Sequence, residues 1–132
     1  MKITSEQEML DFGEHFNLTN NVIELVGDVG TGKTTFTRGL AKGLGVKEEI
    51  TSPSFTISKS YACKNGKTLV HYDFYRLNDP GLMSEDLSEN INNPNNIVII
   101  EWSDTIKDLL PKNHTTITIN YNDDNSREIS IS

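Results

Sequence analysis

Apolar positions recur with several periods along this chain, and each period marks a different element. Met9, Phe12 and Phe16 stand at helical spacing behind Ser5-Glu6-Gln7-Glu8, where the Ser5 hydroxyl and the Glu8 carboxylate can each satisfy an orphan amide of a first helical turn. After a polar break at 17–21, Val22-Ile23-Glu24-Leu25-Val26 reads as a strand rich in β-branched residues and stops at the glycines of 27–32. Phe36, Leu40 and Leu44, at intervals of four, predict a helix over 34–44 with Gly43 and Gly45 as candidate stops. Extended runs at 55–63 and 67–73 flank Lys64-Asn65-Gly66, and Asn-Gly between such runs predicts a β-hairpin.

Further along, Asn78-Asp79-Pro80-Gly81 predicts a turn, 83–91 a helix, and 92–96 a loop rich in Asn. Ile97-Val98-Ile99-Ile100 is almost continuously apolar, the pattern of a strand buried on both faces, and it ends abruptly at Glu101. A helical turn over 106–110 is closed by Pro111. Polar and apolar residues then alternate over 115–121 and 127–131 around a polar turn at 122–126, which predicts a terminal hairpin.

Composition narrows the picture. The chain has 132 residues and a single cysteine, a length suited to one compact domain spanning 1–132. Cys63 alone can build neither a disulfide framework nor a structural zinc site. Twelve Lys and Arg against 19 Asp and Glu give a formal charge of −7, which opposes tight unaided binding to nucleic acid. The acids concentrate between Asp79 and Asp108, where Lys107 is the single base, as on a solvated face; Lys59, Lys64, Lys67 and His71 form only a loose basic grouping. No apolar run approaches the roughly 20 residues of a membrane span, and the N-terminal residues carry neither a signal core nor a transit pattern, so a soluble cytoplasmic protein is expected.

Gly27-Asp28-Val29-Gly30-Thr31-Gly32-Lys33-Thr34 matches in full the phosphate-binding pattern of two glycines four residues apart followed by Lys and Thr. The strand before it and the helix after it are the context that pattern requires. Its glycines let successive amides turn toward phosphate oxygens at a helix N-terminus, Lys33 adds a point charge at the β- and γ-phosphates, and the Thr34 hydroxyl can reach magnesium. These features predict an α/β fold, a single P-loop NTPase-like domain with a mainly parallel central sheet, antiparallel hairpins and flanking helices.

Hydrolysis needs more than a phosphate cradle, namely a carboxylate for the metal and a group that orients the attacking water. Asp73 and Glu101 each close a candidate strand, and acids at the carboxyl ends of strands can converge on a nucleotide. Which of the two touches magnesium is open at this level. His71 is either an interior hydrogen-bonding residue or catalytic, Arg76 either reaches a phosphate or holds a carboxylate, and Trp102 is either a core anchor or a lid.

Taken together, the chain resembles the TsaE family, small P-loop ATPases that act with TsaB and TsaD in making threonylcarbamoyladenosine on tRNA. The resemblance rests on 27–35, on Thr51-Ser52-Pro53-Ser54-Phe55-Thr56, on His71-Tyr72-Asp73-Phe74-Tyr75-Arg76-Leu77 and on Ile100-Glu101-Trp102. It implies ATP or ADP bound by Asp28, Val29, Gly30, Thr31, Gly32, Lys33, Thr34, Thr35 and Trp102. Magnesium would lie at Thr34, Asp73 and Glu101, with Lys33, Asp73 and Glu101 serving catalysis and 51–56 acting as a switch-like loop. It also implies an accessory ATPase, weak alone, that meets tRNA only indirectly through its partners. Ser54 stands where the family usually has Thr, and 83–92 departs from the usual Gly- and Leu-containing pattern. Two other classes remain. A small-molecule kinase would need an arginine-bearing lid, and Arg38, Arg76 and Arg127 are scattered; a nucleotide-binding adaptor would leave Glu101 idle. No Asn/Thr-Lys-x-Asp guanine-reading pattern occurs, which favours adenine.

Overall fold

The computed structural model describes residues 1–53, 57–75, 81 and 83–132. Among them the elements run β1 (Lys2–Ile3), α1 (Glu6–Glu14), β2 (Val22–Val26), α2 (Lys33–Gly43), β3 (Ser58–Ala62), β4 (Thr68–Asp73), α3 (Met83–Ile91), β5 (Asn96–Glu101), β6 (Thr115–Tyr121) and β7 (Arg127–Ile131). Short 3-10 turns cover Lys64–Gly66, Ser103–Thr105 and Lys107–Leu109.

The seven described strands form one sheet in the order β1-β7-β6-β2-β5-β4-β3. Its centre, β6-β2-β5-β4, is parallel, and antiparallel pairs close both flanks. This is the mixed α/β architecture expected from the sequence. Parallel strands need helical crossovers that cover both faces, so β5, in the middle of the parallel set, is apolar on both sides. In β5, Ile97 and Ile99 enter the core beneath α1 and α2 with Ile23, Leu25, Phe36 and Leu40. Val98 and Ile100 enter a second core with Val22, Val70, Tyr72, Phe74 and Leu87 of α3.

The helices start and pack as local chemistry dictates. Ser5 caps α1 by accepting the Glu8 amide at 3.1 Å, while the Glu8 carboxylate takes the Thr4 hydroxyl instead of completing a reciprocal box. The α1 and α2 axes approach closely because glycines line the seam. A Cβ on Gly39 would lie 2.2 Å from the Leu10 carbonyl oxygen, and one on Gly13 would lie 2.4 Å from that of Phe36. Gly43, expected as a stop, is the last residue of α2 and faces Glu14 across this seam; the left-handed stop is Gly45, at φ +82°.

The 64–66 hairpin forms with Asn65 and Gly66 both left-handed (φ 64° and 75°), as the Asn-Gly signal requires. Strand β1 and the 103–105 turn were not legible as elements. The expected strand start at 55–57 and the turn at 78–81 fall largely on 54–56 and 76–80, outside the described residues, as do Arg76 and part of the 51–56 segment. No helix among the described residues is long and apolar enough to cross a membrane.

Candidate functional site

Because β2, β4 and β5 are parallel neighbours, their carboxyl ends open on one side of the sheet. The loop 27–32 leaves β2 there and turns into α2. Gly32 caps the helix at φ +112°, a conformation that disfavours any side chain, and a Cβ on Gly27 would meet the Ile119 carbonyl oxygen at 2.6 Å. The amides of the first turn of α2 have no partner within the helix and point out of its end, as an anion site requires.

Two residues from the far hairpin brace this loop. The Tyr121 hydroxyl donates to the Gly30 carbonyl, and Arg127 Nε donates to the Thr31 carbonyl at 3.1 Å. The Arg127 guanidinium lies 4.0 Å over the Tyr121 ring. Sequence reading missed both, since nothing local ties 121 and 127 to residues 30 and 31. Inside the loop, the Thr31 hydroxyl is buried and donates to the Asp28 carbonyl at 2.8 Å.

Lys33 is the focus of the charges. Its side chain is only 6% exposed, and its ammonium donates to the Gly27 carbonyl. It stands 3.9 Å from Glu101 Oε1 and 4.1 Å from the centre of the Trp102 ring. Burial pushes the Lys33 ammonium below its ordinary pKa, against the pull of Glu101, Asp73 and Asp28. Such a desolvated cation gains when a phosphate oxygen arrives.

Asp73 and Glu101 are register partners on β4 and β5, both buried, so the two candidate acids stand side by side. Asp73 Oδ1 accepts the Tyr75 amide at 2.9 Å. Glu101 Oε2 is 2.6 Å from His71 Nε2, while its other oxygen faces Lys33. His71 is fully buried, and its Nδ1 has no hydrogen-bond partner among the described residues. The tautomer with hydrogen on Nε2 donates to Glu101 and avoids burying an unsatisfied N–H.

Lys33, Thr34, Ser52, Asp73, Glu101 and Trp102 line one cleft of about 370 Å³, which Val29, Gly30, Gly32 and Thr35 also border. A second cleft, of about 330 Å³, shares Gly30, Gly32 and Thr35 with it and continues past Thr31 to Ser5, Met9 and Arg127. Asp28 alone of the expected nucleotide residues turns elsewhere, to a depression beside Trp102, Ser103 and Lys107.

A hard cation fits this set. The Thr34 hydroxyl and the Asp73 and Glu101 carboxylates that border the cleft are all hard oxygen donors, and magnesium takes one or two carboxylates together with phosphate oxygens and waters.

The chain matches a family model, "TsaE: Threonylcarbamoyl adenosine biosynthesis protein TsaE", over residues 3–129. It is 39% identical over 117 residues to the tRNA threonylcarbamoyladenosine biosynthesis protein TsaE of Bacillus subtilis, covering 87% of this chain and 71% of that protein. The protein of that name from Haemophilus influenzae is 35% identical over 130 residues, with 92% and 82% covered. A crystal structure of YdiB from Bacillus subtilis superposes with a TM-score of 0.73 at 32% identity, covering 99% of this chain and 82% of that one.

Proposed function

The chain belongs to the TsaE family and takes part in tRNA threonylcarbamoyladenosine biosynthesis, and from that premise we propose that it is the ATP-binding and ATP-hydrolysing subunit of that machinery, working with TsaB and TsaD. One observation carries this reading. The Lys33 ammonium and the Asp73 and Glu101 carboxylates meet in a single cleft at the mouth of the 27–32 loop.

The triphosphate would lie along the N-terminus of α2, with the γ-phosphate in the cleft beside Lys33 and the nucleoside end in the adjoining cleft past Thr35. Lys33 would exchange its Gly27 carbonyl for phosphate oxygens and oppose the charge that develops on them. Thr34 and Asp73 would hold magnesium, with Glu101 next to it; magnesium supplies neutralisation of charge on the β- and γ-phosphates. Glu101, fixed at one oxygen by His71, is positioned to orient a water and accept its proton. Water attacks the γ-phosphorus, the bond to the β,γ-bridging oxygen breaks, and ADP and inorganic phosphate leave.

The charge of −7 suits a subunit that meets tRNA only through its partners. The test is ATP turnover by the protein alone and with TsaB and TsaD. A partner-dependent rise that Lys33→Ala abolishes and Glu101→Gln abolishes while retaining ATP binding supports the reading. No rise with active partners, or full activity of Glu101→Gln, overturns it.

A further inference from the structure

Outside the cleft, one buried carboxylate has no part in the chemistry described so far. Glu24 interrupts the apolar run of β2 and is only 4% exposed. Its Oε2 accepts the Ser103 hydroxyl and Lys107 Nζ at 3.3 Å, and its Oε1 accepts the Thr116 hydroxyl at 2.9 Å with His114 Nε2 at 3.5 Å. Stability alone does not call for this arrangement. Replacing a buried ionic group by a well-packed apolar side chain is often neutral or stabilising, and Val22 fills the same face of β2 two residues earlier.

The Ser103 contact reaches the site. Ser103 is buried and directly follows Trp102, whose backbone is left-handed at φ 57°, ψ 56°. A bulky residue holds that conformation only where its surroundings impose it. In it, the indole lies 4.1 Å from Lys33 Nζ and 4.7 Å from the Tyr75 ring.

We propose that Glu24 is a positioning residue: by holding Ser103 it fixes the left-handed turn at Trp102 and keeps the indole over Lys33 at the mouth of the phosphate site. The consequence for nucleotide affinity rests on the reading given under Proposed function, whereas the latch itself does not. A fixed indole and lysine form a pre-organised wall, and loosening it returns an ordering cost to ligand binding.

Trp102 is the sole tryptophan of the chain, so its optical signals report the latch directly. The experiment compares wild type with Ser103→Ala and Glu24→Leu in near-UV circular dichroism, fluorescence anisotropy and acrylamide quenching without nucleotide, and then measures MgATP affinity. Ile129→Val, a core truncation on the opposite face, controls for general destabilisation.

Removing a hydrogen bond to a charged acceptor shifts a local equilibrium by about tenfold. Ser103→Ala should therefore mobilise Trp102, seen as lower anisotropy and greater quenching, and weaken MgATP by about tenfold, while Ile129→Val leaves the optical signals unchanged. Should Glu24→Leu not fold, Ser103→Ala alone decides. Wild-type optical signals in Ser103→Ala, an equal change in Ile129→Val, or mobilised Trp102 with unchanged MgATP affinity each overturns the positioning role. A wild type that binds no MgATP, with Trp102 still mobilised by Ser103→Ala, overturns the nucleotide reading and leaves the latch supported.

Discussion

Gly39→Ala sets helix propensity against packing, and the geometry decides which wins. Alanine in place of glycine within a helix gains about 1 kcal/mol from propensity. Here, however, the added Cβ would stand 2.2 Å from the Leu10 carbonyl oxygen and 3.1 Å from the Glu14 amide nitrogen, where ordinary contact begins at 3.4 Å. Both obstacles are backbone atoms of α1, so no side chain can rotate away, and the two helices must part by about 1 Å. Overpacking of this kind costs about 1–3 kcal/mol and sometimes more. Contacts this short, to backbone that cannot rotate away, put the cost at the upper end of that range, so the net expectation is a loss of about 2 kcal/mol, or about 7 °C in Tm for a domain of this size.

The damage should also reach function, because α2 begins at Lys33 and its displacement moves the loop that its N-terminus carries. Chemical denaturation and MgATP titration of Gly39→Ala measure both effects. Lys42→Ala is the comparator: it loses only the exposed ion pair to Glu14 at 3.1 Å and should change stability by less than about 0.5 kcal/mol. A Gly39→Ala protein as stable as wild type would refute the close-seam argument.

His71→Phe removes the donor 2.6 Å from Glu101 and leaves that buried carboxylate oxygen short of a partner, so stability should fall by about 1–3 kcal/mol, a loss a folded domain can bear. Partner-stimulated ATP turnover should nevertheless fall by about 10–100-fold, as steady-state kinetics beside a denaturation curve would show. Acid stability offers an independent check on Glu24. Burial pushes its carboxyl up, and the hydrogen bonds from Ser103 and Thr116 together with the Lys107 charge more than reverse this, so its native pKa lies below the ordinary glutamate value. The unfolded chain then binds the proton first. The stabilisation is complete above the ordinary value of 4.5 and is lost as pH falls through the native one, so as pH falls below that ordinary value stability should drop more steeply in wild type than in Glu24→Leu.

Much of this site was legible because its signals are local. A strand, a glycine loop, Lys33-Thr34 and an amphipathic helix lie within about two dozen consecutive residues, and each constrains the next. Asp73 and Glu101 were legible as acids at strand ends, and parallel pairing of β4 with β5 makes them neighbours. What could not be read depends on contacts between distant segments. Gly13 and Gly39 look like weak helix residues until α1 and α2 are seen to touch. Tyr121 and Arg127 look like hairpin surface until the sheet order brings β6 and β7 up to the loop. Glu24 had one sequence signal, a charge inside an apolar strand run, but its partners lie 79 to 92 residues away. The sequence allows two readings each of His71 and Trp102, and only the structure sets them against Glu101 and Lys33.

The central claim is that the cleft between the 27–32 loop and the ends of β4 and β5 holds the phosphates of ATP with a divalent cation. The most direct test is a crystal structure with a non-hydrolysable ATP analogue and Mn²⁺ in place of magnesium, read by anomalous scattering. The account predicts the triphosphate along the N-terminus of α2 and the Mn²⁺ peak beside Thr34 and Asp73, with Lys33 drawn from Gly27 onto the phosphates. A triphosphate or Mn²⁺ peak lodged away from this cleft, with Lys33 still on the Gly27 carbonyl, would contradict it.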